Sequence, residues 1–227
     1  MEVSSPKGDY RVNTASHQHI NTKKLVLFDF DGTITTKDTL IEFVIFYRGR
    51  RQYFLGMLKL APVLALYALK LLANWKAKQF FLAQYFKGEK LSDFSAQCVE
   101  FSTKVLPSLI RPQARVAIEA YRKEHATIAV VSASAENWVK PWCDQHDIIC
   151  LATKLEVRDG LITGKLDGRN CYADEKECRI KDRFDLAAYD QIIAYGDTRG
   201  DKEMLALAHE QHYKPFRNPE TDSAGVI

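Results

Sequence analysis

The sequence predicts an α/β protein: a Rossmann-like parallel-sheet core split by a mostly helical insertion. Three observations lead there. Short apolar runs at Lys23–Phe30, Ala126–Ser132 and Gln191–Tyr195 read as buried parallel strands. Helical patterning follows the second and third of them. Between the first and second lies a stretch of about 70 residues with little turn punctuation and no strand-like alternation, far longer than an ordinary loop. The chain has 227 residues, 46% of them apolar, enough for one α/β domain with a large insertion or for two small domains.

Taken in order, residues 1–22 are polar and hold no apolar run, so they read as a disordered tail and not as a secretory signal. Residues 23–37 and 112–227 form the expected core, and 38–111 the helical cap. The strand Lys23–Phe30 is broken by Asp31-Gly32-Thr33, which puts carboxylates at its carboxyl end, where open α/β sheets bind ligands. Glu119–Glu124 closes a helix, and Trp138–His146 is a further one. Lys154–Lys165 alternates about Asp159-Gly160, a hairpin signal. Lys176–Phe184 is read as helix, Met204–His209 as helix, and Gln211–Phe216 as a last strand.

The net charge of +3 is bland and gives no reason to expect nucleic-acid binding. Its distribution is uneven. No Asp or Glu occurs from Phe43 to Gly88, while Arg48, Arg50, Arg51, Lys59, Lys70, Lys76, Lys78 and Lys87 all do. The five cysteines form no CxxC pair and are odd in number, which favours a reduced, cytoplasmic setting. Cys143, His146 and Cys150 fit no zinc-ligand spacing.

Four acids, Asp29, Asp31, Asp197 and Asp201, fall at or just past the ends of predicted strands. Carboxylates gathered there repel one another unless a cation lies between them. Oxygen-only ligands suit Mg²⁺, which keeps waters and a substrate phosphate oxygen in its shell, so the cluster points to phosphate chemistry. Taken singly, each motif has a plainer reading. Asp31-Gly32 can be only a turn, Ser132 a strand-end cap, Lys176 a solvated helix lysine and Asp201 a helix cap.

In combination the motifs are more specific. Asp29-Phe-Asp31-Gly-Thr33, Ser132 after Ile-Ala-Val-Val, a later lysine and Gly196-Asp197-Thr-Arg-Gly-Asp201 resemble the four ordered motifs of the haloacid dehalogenase superfamily of phosphohydrolases. The resemblance spans about Lys23 to Phe216. It implies Asp29 as a nucleophile that becomes phosphorylated, and Asp31 as acid and then base. It also implies a Mg²⁺ ion held by Asp29, the Asp31 main-chain carbonyl, Asp197 and Asp201. Gly32, Thr33, Ser132, Ala133 and a lysine would bind the phosphoryl group. For that lysine the reading takes Lys176 first and Lys181 second. The insertion resembles the caps of phosphoserine phosphatases, although those usually carry Asp-Ser-Thr where this chain has Asp-Gly-Thr. It also resembles the long, apolar, basic caps of bacterial phosphatidylglycerophosphatases of the superfamily.

Those likenesses imply a small-molecule or phospholipid phosphomonoester, with a phosphatidylglycerophosphate-like one slightly favoured. Phosphoserine-like metabolites and phosphotransfer to an alcohol are the alternatives. A receiver domain is disfavoured by the large cap and the acid at Asp31, and a degenerate binding protein by the full set of motif residues. Residues 48–78 carry the partner question. Tyr53–Trp75 has three readings: a buried helix or a hairpin broken near Pro62, a monotopic helix on an anionic membrane surface, or a span. The span ranks last because a lysine at the bilayer centre costs ~2.5–3.5 kcal/mol. Gln52, Lys59, Lys70 and Asn74 would share one face of a continuous helix. The monotopic reading places the protein peripherally on the inner face of the cytoplasmic membrane.

Overall fold

The computed structural model describes residues 22–217; the expected tail lies outside them, but for Thr22. Six strands form one sheet: β1 (Lys24–Phe28), β2 (Thr127–Ala135), β3 (Ile149–Arg158), β4 (Leu161–Asp167), β5 (Gln191–Gly196) and β6 (Glu210–Tyr213). Their order is β4-β3-β2-β1-β5-β6. Every pair is parallel except β3 with β4. β1 sits centrally between β2 and β5, so its neighbours satisfy both of its edges and its side chains are buried on both faces. Val26, Phe28 and Val130 pack on one face, and Leu25, Leu27, Ala129 and Val131 on the other, as the two-residue pleat requires.

The sequence reading placed three core strands, the hairpin and the last strand correctly in kind. It did not anticipate Ile149–Thr153, the first half of β3, which runs parallel to β2 before Lys154 turns to pair with β4. Ile149-Cys-Leu-Ala-Thr153 is short and runs without a break into the hairpin strand, so local pattern alone gives it no end.

Nine helices are seen among the described residues. Five lie between β1 and β2: α1 (Thr39–Arg48), α2 (Arg50–Ala68), α3 (Asn74–Phe86), α4 (Leu91–Lys104) and α5 (Leu106–Leu109). Four belong to the sheet layers: α6 (Pro112–Lys123), α7 (Glu136–Gln145), α8 (Asp174–Arg183) and α9 (Lys202–Ala206). The chain leaves and re-enters the sheet region through two adjacent segments. The Thr36 amide donates to the Leu109 carbonyl and the Arg111 amide to the Ile34 carbonyl, each at 2.8 Å. Inside the insertion, Phe43 is the centre of an aromatic cluster with Phe86, Phe94, Phe101 and Trp138, the last stacked on it at 4.9 Å. Trp138 belongs to α7, so this stack joins the insertion to the core. The β3–β4 hairpin joins it a second time, where the Gly88 amide donates to Ile162 and the Ile162 amide to Glu89.

Tyr53–Trp75 is neither a single helix nor a hairpin broken near Pro62, but a hairpin broken later. Pro62 sits inside α2 without breaking it; the break comes at Leu69–Ala73, where Lys70 takes a left-handed φ of 59°. Lys70 and Asn74 therefore do not share a helix with Gln52 and Lys59. The buried-helix reading holds for one side only: Gly56 and Leu60 face inward, while Phe54, Leu58 and Leu66 face outward and are exposed. No helix among the described residues is long and apolar enough to cross a membrane, which removes the spanning reading of this stretch.

Candidate active site

Asp29 follows β1 directly, and Asp197 follows β5, its neighbour in the sheet. The shared register brings two carboxylates from distant parts of the sequence to one sheet edge. Asp201 joins them through the short turn after β5. The carboxylate oxygens of Asp29, Asp197 and Asp201 lie within 4.8 Å of one another. Gly32, with φ 81°, lets the turn after β1 pass close over this point; a Cβ there would collide with the Asp197 carboxylate.

Lys176, in the first turn of α8, is 1% exposed and spans the cluster. Its Nζ donates to Asp29 Oδ1 and to Asp201 Oδ1, both at 2.6 Å. Lys181 lies on the outside of the same helix, paired with Glu177. Of the two candidate lysines, only Lys176 reaches the carboxylates. Burial pulls its ammonium toward neutrality, but Asp29 and Asp201 outweigh that and hold its proton more tightly than usual.

The three acids are not equivalent. Asp29 is pushed up to about 7, first by burial and then by Asp201 and Asp31, with Lys176 opposing. Asp197 is also raised, by burial and by Asp201. Its Oδ2 accepts from Arg217 at 2.9 Å, while its buried Oδ1 has no partner among the described residues. Asp201 is buried too, yet its carboxyl is lowered, because Lys176 and the Thr198 donors outweigh desolvation. Its Oδ2 accepts from the Asp197 amide, the Thr198 amide and the Thr198 hydroxyl. Asp201 thus ties down its own turn, the plainer reading considered above, and still presents Oδ1 to the cluster. A buried carboxylate oxygen without a partner, beside two more carboxylates, fits a hard divalent cation.

Asp31 stands apart. Its Oδ1 accepts from the Thr39 amide at 2.6 Å and its Oδ2 from the Ser134 hydroxyl at 2.5 Å. Thr39 opens α1, and its hydroxyl is in turn bound by Trp138 Nε1 at 3.1 Å. The carboxylate is therefore aimed by the insertion and by β2 together. Ser132, read as a phosphate ligand, is fully buried, and its Oγ accepts from the Ser134 amide at 3.0 Å. Thr33 is buried beneath Asp29, its hydroxyl 3.3 Å from Asp29 Oδ2.

A cavity of about 350 Å³ opens onto these groups, with Asp29, Asp31, Ala133, Lys176 and Asp201 in its wall. Gly32, Thr33, Ser132 and Asp197 are not in that wall and sit behind it. Sequence reading missed several residues that are. Ser134 lies two positions past Ser132, inside a register shift of β2 that strand alternation does not foresee. Asp38 caps α1, accepting from the Leu40 and Ile41 amides, and is pushed up to about 6 by burial and by Asp31. Lys78 reaches in from α3 and donates to the Ala133 carbonyl and, at 3.0 Å, to Asn170 Oδ1. Burial brings its pKa down to about 8. Its sequence signal was only the run of unmatched cations, which does not say which one turns inward.

A family model for haloacid dehalogenase-like hydrolases matches residues 26–206. This chain belongs to that family. The match runs from β1 through the Asp197–Asp201 turn, so it includes all of the acids described above. Among curated proteins, this hydrolase is 37% identical over 197 residues to protein CicA of Caulobacter vibrioides, covering 85% of this chain and 86% of that one. Among solved structures, it resembles a protein of unknown function from Bordetella pertussis Tohama I, at TM-score 0.70 and 21% identity, over 89% of this chain and 94% of that one. It also resembles a phospho-aspartyl intermediate analogue of phosphoserine phosphatase, at TM-score 0.60 and 18% identity, over 84% and 85% of the two chains. At those identities the structural likenesses establish the fold alone.

Proposed function

We propose that this hydrolase is a magnesium-dependent phosphomonoesterase that works through an aspartyl-phosphate on Asp29. The observation that carries the reading is the division of labour among carboxylates. Asp29, Asp197 and Asp201 converge with Lys176, while Asp31 is held separately, facing the same cavity.

Asp29 Oδ1 is engaged by Lys176, which leaves Oδ2, with only a long contact to Thr33, as the attacking oxygen. Lys176 offsets the repulsion between Asp29 and an incoming phosphoryl group. Asp31, oriented by Thr39 and Ser134, gives a proton to the leaving oxygen and afterwards takes one from the hydrolytic water. The main chain of Ala133 and Ser134, stiffened by the Ser132 hydroxyl, would hold phosphoryl oxygens. Mg²⁺ would be held by Asp29, the Asp31 carbonyl, Asp197 and Asp201, and would supply charge neutralisation on the transferring group.

The leaving group would occupy the rest of the cavity, between Leu64, Tyr67 and Phe81 and the opposed charges of Asp38 and Lys78. Its mixed lining suits a small polar headgroup borne on an apolar body, and a phosphatidylglycerophosphate-like monoester is the favoured substrate. The opposed charges also favour a second reading, a soluble phosphoserine-like metabolite, which carries both an ammonium and a carboxylate. The deciding experiment is phosphate release from a panel of lipid, amino-acid and sugar monoesters, with Mg²⁺ and after chelation. Release from at least one monoester, lost on chelation and restored by Mg²⁺, is expected; release that survives full chelation would refute the metal assignment.

Two further outcomes are expected. Asp31→Asn should slow turnover ~10²–10⁴-fold while letting a hydroxylamine-sensitive phosphoenzyme accumulate; equal loss of labelling and turnover would contradict its role as base. Lys78 is cationic below a pKa of about 8. If it attracts the anionic substrate, kcat/KM should decline as pH rises through that value. Lys78→Arg, charged throughout, should remove that limb, and a limb unmoved by the change would exclude Lys78.

A further inference from the structure

We infer that the outer face of the α2–α3 hairpin docks on an anionic lipid bilayer, lying in the plane of the surface. Phe54, Leu58, Leu66 and Leu69 are between 46 and 73% exposed and fall on one side of α2 and its C-terminal end. Their opposite side, through Gly56 and Leu60, is the one packed on the protein. Leu71 in the turn and Phe80 of α3 are exposed as well, at 73 and 51%. Large side chains left in water over two adjacent helices mark an interaction surface.

Charge selects the partner. Of the eight cations between Phe43 and Gly88, Arg48 pairs with Glu89 and Lys78 turns into the active-site cavity. Arg50, Arg51, Lys59 and Lys70 are exposed, border the apolar face and make no ion pair among the described residues. A second copy of this face would bring cations against cations, with no acid in the segment to offset them. An anionic bilayer offers apolar depth and negative headgroups together, which is what an interfacial helix with basic flanks requires. The same two helices wall the active-site cavity through Leu64, Tyr67, Lys78 and Phe81, so docking would set the site beside the headgroup layer. That a lipid-borne phosphomonoester is the substrate rests on the phosphatase chemistry proposed above; docking does not.

The test is co-sedimentation of the full chain with vesicles of mixed phosphatidylglycerol and phosphatidylcholine, and with phosphatidylcholine alone. Binding is expected to the anionic vesicles and to weaken with salt. Arg51→Glu with Lys59→Glu should cut affinity by about fivefold or more for each site changed. Leu58→Ser with Leu66→Ser should abolish binding. Neither pair lines the cavity, so release of phosphate from a soluble aryl ester should be unchanged in both, and that assay reports on the chemistry separately. A chain that stays in the supernatant with anionic vesicles would overturn the inference. Binding indifferent to both double variants, or a dimer in solution that Leu58→Ser with Leu66→Ser dissolves, would also overturn it.

Discussion

Replacing Asp29 by Asn is expected to abolish turnover, with a fall on the order of 10⁵–10⁶-fold, the scale seen when a covalent nucleophile is removed. The amide is nearly isosteric, so Lys176 keeps a partner atom and the fold should persist. What disappears is the attacking oxygen's charge. The residual rate should come from positioning alone, with no phosphoenzyme trapped under any condition. Steady-state release from an aryl phosphate, together with acid-quench labelling, measures both. Near-normal turnover, or a label that persists in the variant, would move the nucleophile elsewhere, and with it the reading of the site.

Lys176→Met should act first on stability. Lys176 is the only cation among the described residues that touches both Asp29 and Asp201, and all three are buried. Breaking a buried pair by removing one partner costs about 3–5 kcal/mol, because a charge is left uncompensated. The loss should depend on pH. Asp201, whose folded carboxyl is lowered, contributes stability present above its unfolded pKa near 3.8 and lost as pH falls through its folded value. Asp29, raised to about 7, has the opposite sign: its contribution is full below 3.8 and is lost as pH rises through about 7. Without Lys176 the favourable Asp201 contribution goes, and Asp29 rises further. The deficit should therefore be largest at pH 8 and smaller near pH 5, where the carboxylates can take up protons. Mg²⁺ should recover part of it, since a cation replaces the missing charge. Urea unfolding at the two pH values, with and without Mg²⁺, checks each part. A loss that is equal at both, and untouched by Mg²⁺, would make Lys176 a packing residue.

The legible part of the site was the part written in short, ordered motifs. Asp29, Asp31, Asp197 and Asp201 each follow an apolar run that can only be a buried strand, and a strand end in a parallel sheet is a fixed address. Lys176 and Lys181 could not be separated by sequence, because both lie on a charged helix. Helix phase put one of them beneath the sheet edge and the other in solvent. Ser134 and Thr39 were missed for a related reason. Ser134 reaches Asp31 from 103 positions away, and nothing local marks a serine as the donor to a distant carboxylate; Thr39 is only 8 positions on but donates through its backbone amide, which no side-chain pattern reveals. The insertion was legible as helical and basic. Which of its cations turns inward, and which of its apolar side chains stay bare, depended on a break at Leu69–Ala73 that no proline or glycine announces.

By itself, then, the chain's order of residues determined three core strands and the hairpin, the acidic strand ends and the existence of a cationic helical insertion, because pleat alternation, apolar runs and turn residues act over a few neighbours at a time. Tertiary structure decided which lysine meets the carboxylates, that Asp31 is aimed by Thr39 and Ser134, that Asp197 keeps one oxygen unpaired, and which side of α2 faces water. Those outcomes depend on burial and on partners that range from 8 positions away, for Thr39 and Asp31, to 147, for Lys176 and Asp29, and there desolvation and packing outweigh any preference a local segment carries.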